Sequence, residues 1–128
     1  MVNGMSAATI KAARKAIEST YIGSLVVIEH QKVKDEVTKL TGYKDVAVIE
    51  NQPCKLSFES LKTASQSDSA ATVTQTTKLF VSPDIVIKAG SKITVTQAGT
   101  TTDYTCSGVP AVYLTHQEII LDLFEDWT

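Results

Sequence analysis

Forty of the 128 residues are β-branched: 13 Val, 10 Ile and 17 Thr. Such side chains are stiff at χ1 and sit better on a pleated surface than in a helix. Where they cluster, they also alternate with polar residues. Ile93, Val95 and Gln97 fall on one parity, Thr94 and Thr96 on the other. In the closing stretch Ile119, Leu121, Leu123 and Trp127 share a parity with Gln117 and Glu125, and His116, Glu118, Asp122 and Asp126 dominate the other. A period of two marks a strand with one face buried. A helix competes there, because Ile120 and Phe124 also suit helical spacing.

One segment departs from this pattern. Ser6–Thr20 is rich in Ala, and Ser6 can cap it. Ile10, Ala13 and Ile17 fall on one helical face, with Lys11, Arg14, Lys15 and Glu18 elsewhere. The stripe is narrow, so the helix either packs lightly on its own domain or docks onto a neighbouring subunit. After Tyr21, residues 22–31 and 43–50 form a long hairpin with its tip at Asp35–Gly42, where Gly42 can supply a positive φ. Pro53 ends that run, and 55–58 forms another short strand. Residues 62–71 read as a mobile polar loop, and 73–81 as a strand. Ser82-Pro83-Asp84 and Ala89-Gly90 are turns, with Ile85 and Ile87 alternating between them. Ala98-Gly99 closes a tight hairpin between 93–97 and 100–107. Gly108-Val109-Pro110 interrupts before the last strand. The expected fold is mainly β: a small antiparallel β-barrel of about six to seven strands behind one N-terminal α-helix. Residues 1–128 form a single domain, with the helix at 6–20 and the barrel at 21–128.

Chemistry has few footholds. A zinc site uses closely spaced Cys and His, but His30, Cys54, Cys106 and His116 are singletons. A Cys54–Cys106 disulfide is geometrically conceivable but out of place in a cytoplasmic product. There is no nucleophile elbow, and the isolated glycines build no phosphate-cradling loop. Glu118 and Asp122 lie along a solvated strand face. The expectation is a protein that is not an enzyme and needs no cofactor. Net charge is −2, and Lys/Arg do not interleave with the eight aromatics, which argues against a basic nucleic-acid groove. The longest run of large apolar residues, Leu25–Ile28, is far too short for a membrane span. No secretory signal opens the chain, so synthesis in a cytoplasm is expected. Charge is uneven: residues 1–44 carry +3, 45–110 carry −1 and 111–128 carry −4. A basic start and an acidic end suit contacts between copies or with a charged partner, although two solvated faces are the more ordinary reading.

Several stretches together resemble a known family. They are Gln52-Pro53-Cys54-Lys55-Leu56-Ser57-Phe58, Lys78-Leu79-Phe80 and Gly90-Ser91-Lys92-Ile93-Thr94-Val95. Ser107-Gly108-Val109-Pro110-Ala111-Val112-Tyr113, His116-Gln117-Glu118 and the ARKAIEST of residues 13–20 complete the set. They resemble the small head-completion proteins, also called head-closure, stopper or minor capsid proteins, of tailed phages and prophages of Gram-positive bacteria. The resemblance implies a β-barrel subunit of the head–tail connector, assembled in the host bacterial cytoplasm and resident in the virion. Copies would form a homo-oligomeric ring of about twelvefold symmetry below the portal and adaptor, closing the DNA-filled head and docking tail proteins. Packaged DNA would pass through without specific binding. On this reading Ser65, Gln66, Ser67, Asp68 and Ser69 point into the channel. Ile10, Lys11, Arg14 and Ile17 at one surface, and Glu118, Asp122 and Asp126 at another, meet between subunits. The alternative class is a small β-barrel that binds a ligand or nucleic acid in a concave, aromatic-lined site.

Overall fold

Alternation has a simple consequence once strands pair: every second residue of each strand points inward. A computed structural model describes residues 6–64 and 71–127, the side chains of 61–64 and 71–74 excepted. Among the described residues there is one helix, α1 (Ala7–Glu18), followed by seven strands. These are β1 (Gly23–Lys34), β2 (Thr41–Ala64), β3 (Ala71–Val81), β4 (Lys92–Gln97), β5 (Thr100–Thr105), β6 (Ala111–Val112) and β7 (Gln117–Leu123). They form one antiparallel sheet in the order β3-β2-β1-β4-β5-β7-β6, and β3 also pairs with β7. Six strands therefore close a hydrogen-bonded circuit. A wholly antiparallel circuit needs an even number of strands, so β6 cannot be a separate member. It shares one edge of β7 with β5, through Tyr104↔Leu123 and Thr105↔Asp122, then Ala111↔Glu118 and Val112↔Gln117. Residues 106–110 on one side oppose only 119–121 on the other. The Gly108-Val109-Pro110 interruption is the excess length bulging out of one broken strand.

The core holds two residues from each circuit strand. Leu25 and Val27 come from β1, Cys54 and Leu56 from β2, Leu79 and Val81 from β3, and Ile93 and Val95 from β4. Tyr104 and Cys106 come from β5 and the residue after it, and Ile119 and Leu121 from β7. Ile49, Ile85 and Ile87 pack against this set. Two glutamines of inward parity bond backbone groups at the edge of the core. The β1 ladder on β2 begins at Gly23↔Cys54, leaving Leu56 without a β1 partner. There the Gln97 carboxamide accepts from Leu56 N at 2.8 Å and donates to Leu56 O at 3.3 Å. Buried Gln117 donates its amide to Ser82 O and Ile85 O, tying the turn after β3 to the start of β7. Gly23 fits because a Cβ there would lie 3.1 Å from both Cys54 O and Gln97 Oε1.

The closing stretch is a strand, and its inward parity stops at Leu121. Leu123 was expected inside but is 67% exposed, because the β3 ladder on β7 ends at Thr77↔Leu121 and Leu123 lies past the rim. Pro53 does not end β2. It lies one residue before the β3 ladder begins at Cys54, on an edge where no N–H is needed. The 35–40 turn takes its positive φ at Lys39 (62°) rather than at Gly42. Asp35 organises it, its carboxylate accepting from Val37 N at 2.8 Å and Thr38 N at 3.1 Å. Ala98 and Gly99 both have positive φ, the tight hairpin expected. The polar loop is shorter than residues 62–71, since Lys62, Thr63 and Ala64 pair with Val73, Thr72 and Ala71.

β2 has 24 residues, against about 5–6 for a common strand, and both its ends overshoot the circuit. At one end Glu29–Lys34 pair only with Thr41–Val46, a two-stranded first arm. At the other, β2 and β3 continue past Phe58↔Thr77 as a second arm.

Leu121→Ala should lower unfolding stability by roughly 2–5 kcal/mol, while Leu123→Ala should stay within about 0.5 kcal/mol of wild type. Denaturant melts of the pair check the rim position. Gln97→Leu should be destabilising by about 1–3 kcal/mol, because it strands both backbone groups of Leu56; an unchanged midpoint would show that they find other partners.

Candidate interaction surfaces

Helix α1 begins where the Ser6 hydroxyl accepts from Thr9 N at 3.1 Å, and it ends at Ser19. None of its residues is buried. Ile10 and Ile17 are half-buried, and Lys11 and Lys15 are exposed. Arg14 fastens it to the body. Its guanidinium donates to Asp84 Oδ2 at 2.9 Å, in the turn after β3, and to Leu114 O at 2.7 Å, after β6. The seam beneath is imperfect: Arg14 Nε, Glu18 Oε2 and Tyr21 OH are buried without a hydrogen-bond partner among the described residues. Burial, with the Glu18 carboxylate, raises the Tyr21 phenol pKa. Ile17, Thr20 and Tyr21 line a groove of about 250 Å3 with Lys55, Phe80 and His116.

His116 closes a compact polar knot beside that groove. Its Nε2 lies 3.0 Å from Glu118 Oε2, and its Nδ1 lies 3.1 Å from Thr115 Oγ1. An ionised carboxylate only accepts, so Nε2 carries the proton and donates the hydrogen bond that Glu118 accepts. Tyr113 stacks on the imidazole at 4.7 Å, and Lys78 Nζ is 3.3 Å from the other Glu118 oxygen. The His116 hydrogen bond and then Lys78 hold the Glu118 carboxyl below its ordinary value. Glu118 therefore has partners within its own chain, His116 and Lys78.

A second knot lies at the root of the first arm. His30 of β1 is sandwiched between Tyr43 (4.7 Å, 7°) and Trp127 (4.8 Å, 13°), and its Nδ1 is 2.8 Å from Asp45 Oδ1. Phe124 meets Trp127 edge-on at 4.9 Å. His30, Tyr43 and Trp127 border a cleft of about 540 Å3 that also touches Lys32, Lys88 and Ser91. Sequence reading missed this grouping. Tyr43 and Trp127 are remote in sequence, and only the pairing Lys32↔Tyr43 next to His30↔Asp45 brings Tyr43 alongside His30.

The remaining candidates stay apart. Asp122 and Asp126 are exposed, as is Glu125. Ser65, Gln66, Ser67, Asp68 and Ser69 lie outside the described residues. Cys54 and Cys106 are free and buried in the core, where desolvation pushes the Cys54 thiol up to about 12 and also raises Cys106. Thiols so protonated are poor nucleophiles and poor metal ligands. Among the described residues no group of three or more His, Cys, Asp or Glu side chains is placed to hold a metal ion, and no helix is long and apolar enough to cross a membrane.

No protein-family model and no curated protein match this chain. Among solved structures, the phage-like element PBSX protein xkdH from Bacillus subtilis aligns with it at a TM-score of 0.44 and 13% identity. The alignment covers 79% of this chain and 90% of that chain.

Glu118 sets a pH dependence. A carboxyl whose pKa is lowered by folding contributes stability that is present above its ordinary value, near 4.5, and lost as pH falls through the depressed one. Glu118→Gln should therefore be less stable than wild type at neutral pH, with the gap closing in acid. A gap that is constant with pH would show that the His116–Glu118–Lys78 contacts contribute no such linkage.

Proposed function

We propose that this chain is a structural subunit of the head–tail connector of a tailed phage or prophage. Copies pack head to tail into a ring of about twelvefold symmetry below the portal and adaptor, close the filled head and dock the tail. The observation that carries this reading is helix α1, capped and complete yet burying none of its own residues. Isolated helices of this length are marginal in water, so a helix this lightly covered gains from a second surface.

Charge favours another copy as that surface. Lys11 and Lys15 are exposed on the helix, while Asp122 and the neighbouring Glu125 are exposed at the chain's far end. One surface meeting a different surface of the next copy is a heterologous contact, which closes into a ring when the rotation allows. The family resemblance of the sequence supplies the phage setting. The low net charge suits a conduit through which DNA slides, since each Lys or Arg phosphate contact would hold it back. On this reading the protein has no catalytic role, resides at the virion's head–tail junction and contacts portal, adaptor and tail proteins.

Two measurements test it. Antibody against this protein should label purified particles at the capsid–tail junction in electron micrographs; label elsewhere, or on tails alone, overturns the connector role. Lys11→Glu with Lys15→Glu should weaken association of copies, and Asp122→Lys with Glu125→Lys on the same chain should restore it. Association should fall as salt rises through a Debye length of about 10 Å at 0.1 M. Salt-independent assembly removes the electrostatic contact.

A further inference from the structure

We infer that the C-terminal segment Phe124–Trp127 is a latch that fixes the direction in which the first arm leaves the body. The arm has little else to hold it. β4 stops pairing with β1 at Ile28↔Lys92 and β3 meets β2 only from Cys54, so Glu29–Lys34 and Thr41–Val46 bond only to each other. A two-stranded ribbon alone is marginal in water. Its root is also irregular. The β1–β2 register shifts between Leu25 and Val27 and again between Val27 and Ile28. On the β2 side Asn51 has a φ of 52°, in the left-handed region. Such bulges bend a strand and let it change course.

The arm does not lie flat on the body. A cleft of about 540 Å3 lies between Gln31 and Lys32 of the arm and the Lys88–Ser91 turn. The chain's end supplies the tie. Trp127 stacks on one face of His30, Tyr43 covers the other, and Asp45 orients the imidazole. Trp127 is itself held from the body side. Phe124 meets it edge-on, Phe124 N donates to Asp103 O at 3.0 Å, and Lys92 Nζ sits 5.3 Å from the Phe124 ring centre. The rings thus join the arm to β4 and β5 with no shared backbone ladder. The one ion pair between this arm and the body among the described residues, Lys88–Glu29, is long at 3.9 Å.

What the latch positions is the arm's tip. Val37 is 90% exposed and Leu40 71% exposed, two large apolar side chains carried on a turn that Asp35 makes rigid. With the latch closed, the tip is offered at one place relative to the body. With it open, the ribbon swings about its bulges. This is a property of the single chain and does not depend on the connector reading.

The chain's sole tryptophan is Trp127, which gives a clean signal. In the isolated full-length protein, Trp127→Ala should speed amide exchange across residues 29–46 roughly tenfold, as expected for losing paired aromatic contacts, with β1 and β4 core amides unchanged. Trp127→Phe should restore protection. Separately, His30→Ala and Tyr43→Ala should each shift Trp127 emission to the red and raise its quenching by acrylamide. Exchange across 29–46 that is unchanged in Trp127→Ala overturns the latch. So does faster exchange spread evenly over arm and core, or wild-type emission already that of a fully hydrated indole.

Discussion

The pairing of β3 with β7, from Thr77↔Leu121 to Val81↔Gln117, closes the sheet, and the core exists because it closes. Without it both strands would be edges with exposed backbone donors and acceptors. Leu79, Val81, Ile119 and Leu121 would then line an open face. With it, every inward side chain of the six strands faces five other strands across a shared interior. Twelve buried apolar side chains among the described residues then suffice, with no second layer of helices.

Closure also explains where polar groups had to be placed inside. A circuit of strands of unequal length leaves ladder positions empty wherever one strand starts late. Gln97 stands at one such position and uses its carboxamide to replace a peptide group opposite Leu56, while Gln117 ties the turn after β3 through the carbonyls of Ser82 and Ile85. Gln97 sits on the apolar parity because Leu56 has no β1 partner opposite it, and leaving that backbone unbonded would be the larger penalty.

Strand length beyond the circuit becomes arm, and the surface divides accordingly. Arg14 and Glu118 are charges already satisfied within the chain, one fastening the helix and the other knotting β7 to His116 and Lys78. Lys11, Lys15, Asp122 and the tip residues Val37 and Leu40 face water. The proposed head-to-tail contact draws on the exposed lysines of the helix and the exposed carboxylates after β7, because a charge total cannot separate a used charge from a free one.

Local signals along the chain were enough for the mainly β class, the inward parity of Ile93, Val95, Ile119 and Leu121, the hairpin at Ala98-Gly99 and the capped helix, but not for the continuity of β2 through Pro53. The first four are local matters: χ1 stiffness, turn chemistry and side-chain parity act over a few residues and can be read along the chain. Leu123 shows the limit, since its parity is inward but the β3 ladder on β7 has already ended at Leu121, and ladder ends are set by pairing across the sheet. Pro53 shows the same limit from the other side, being tolerated because the edge it faces is not yet paired. The His30–Tyr43–Trp127 stack left no trace in the sequence. Its rings come from two adjacent strands and the chain's end, brought together only when the sheet curls until β7 returns beside β3 and β5. Parity and turns belonged to the sequence; which edges were covered, which charges were used and which rings met were decided by closure.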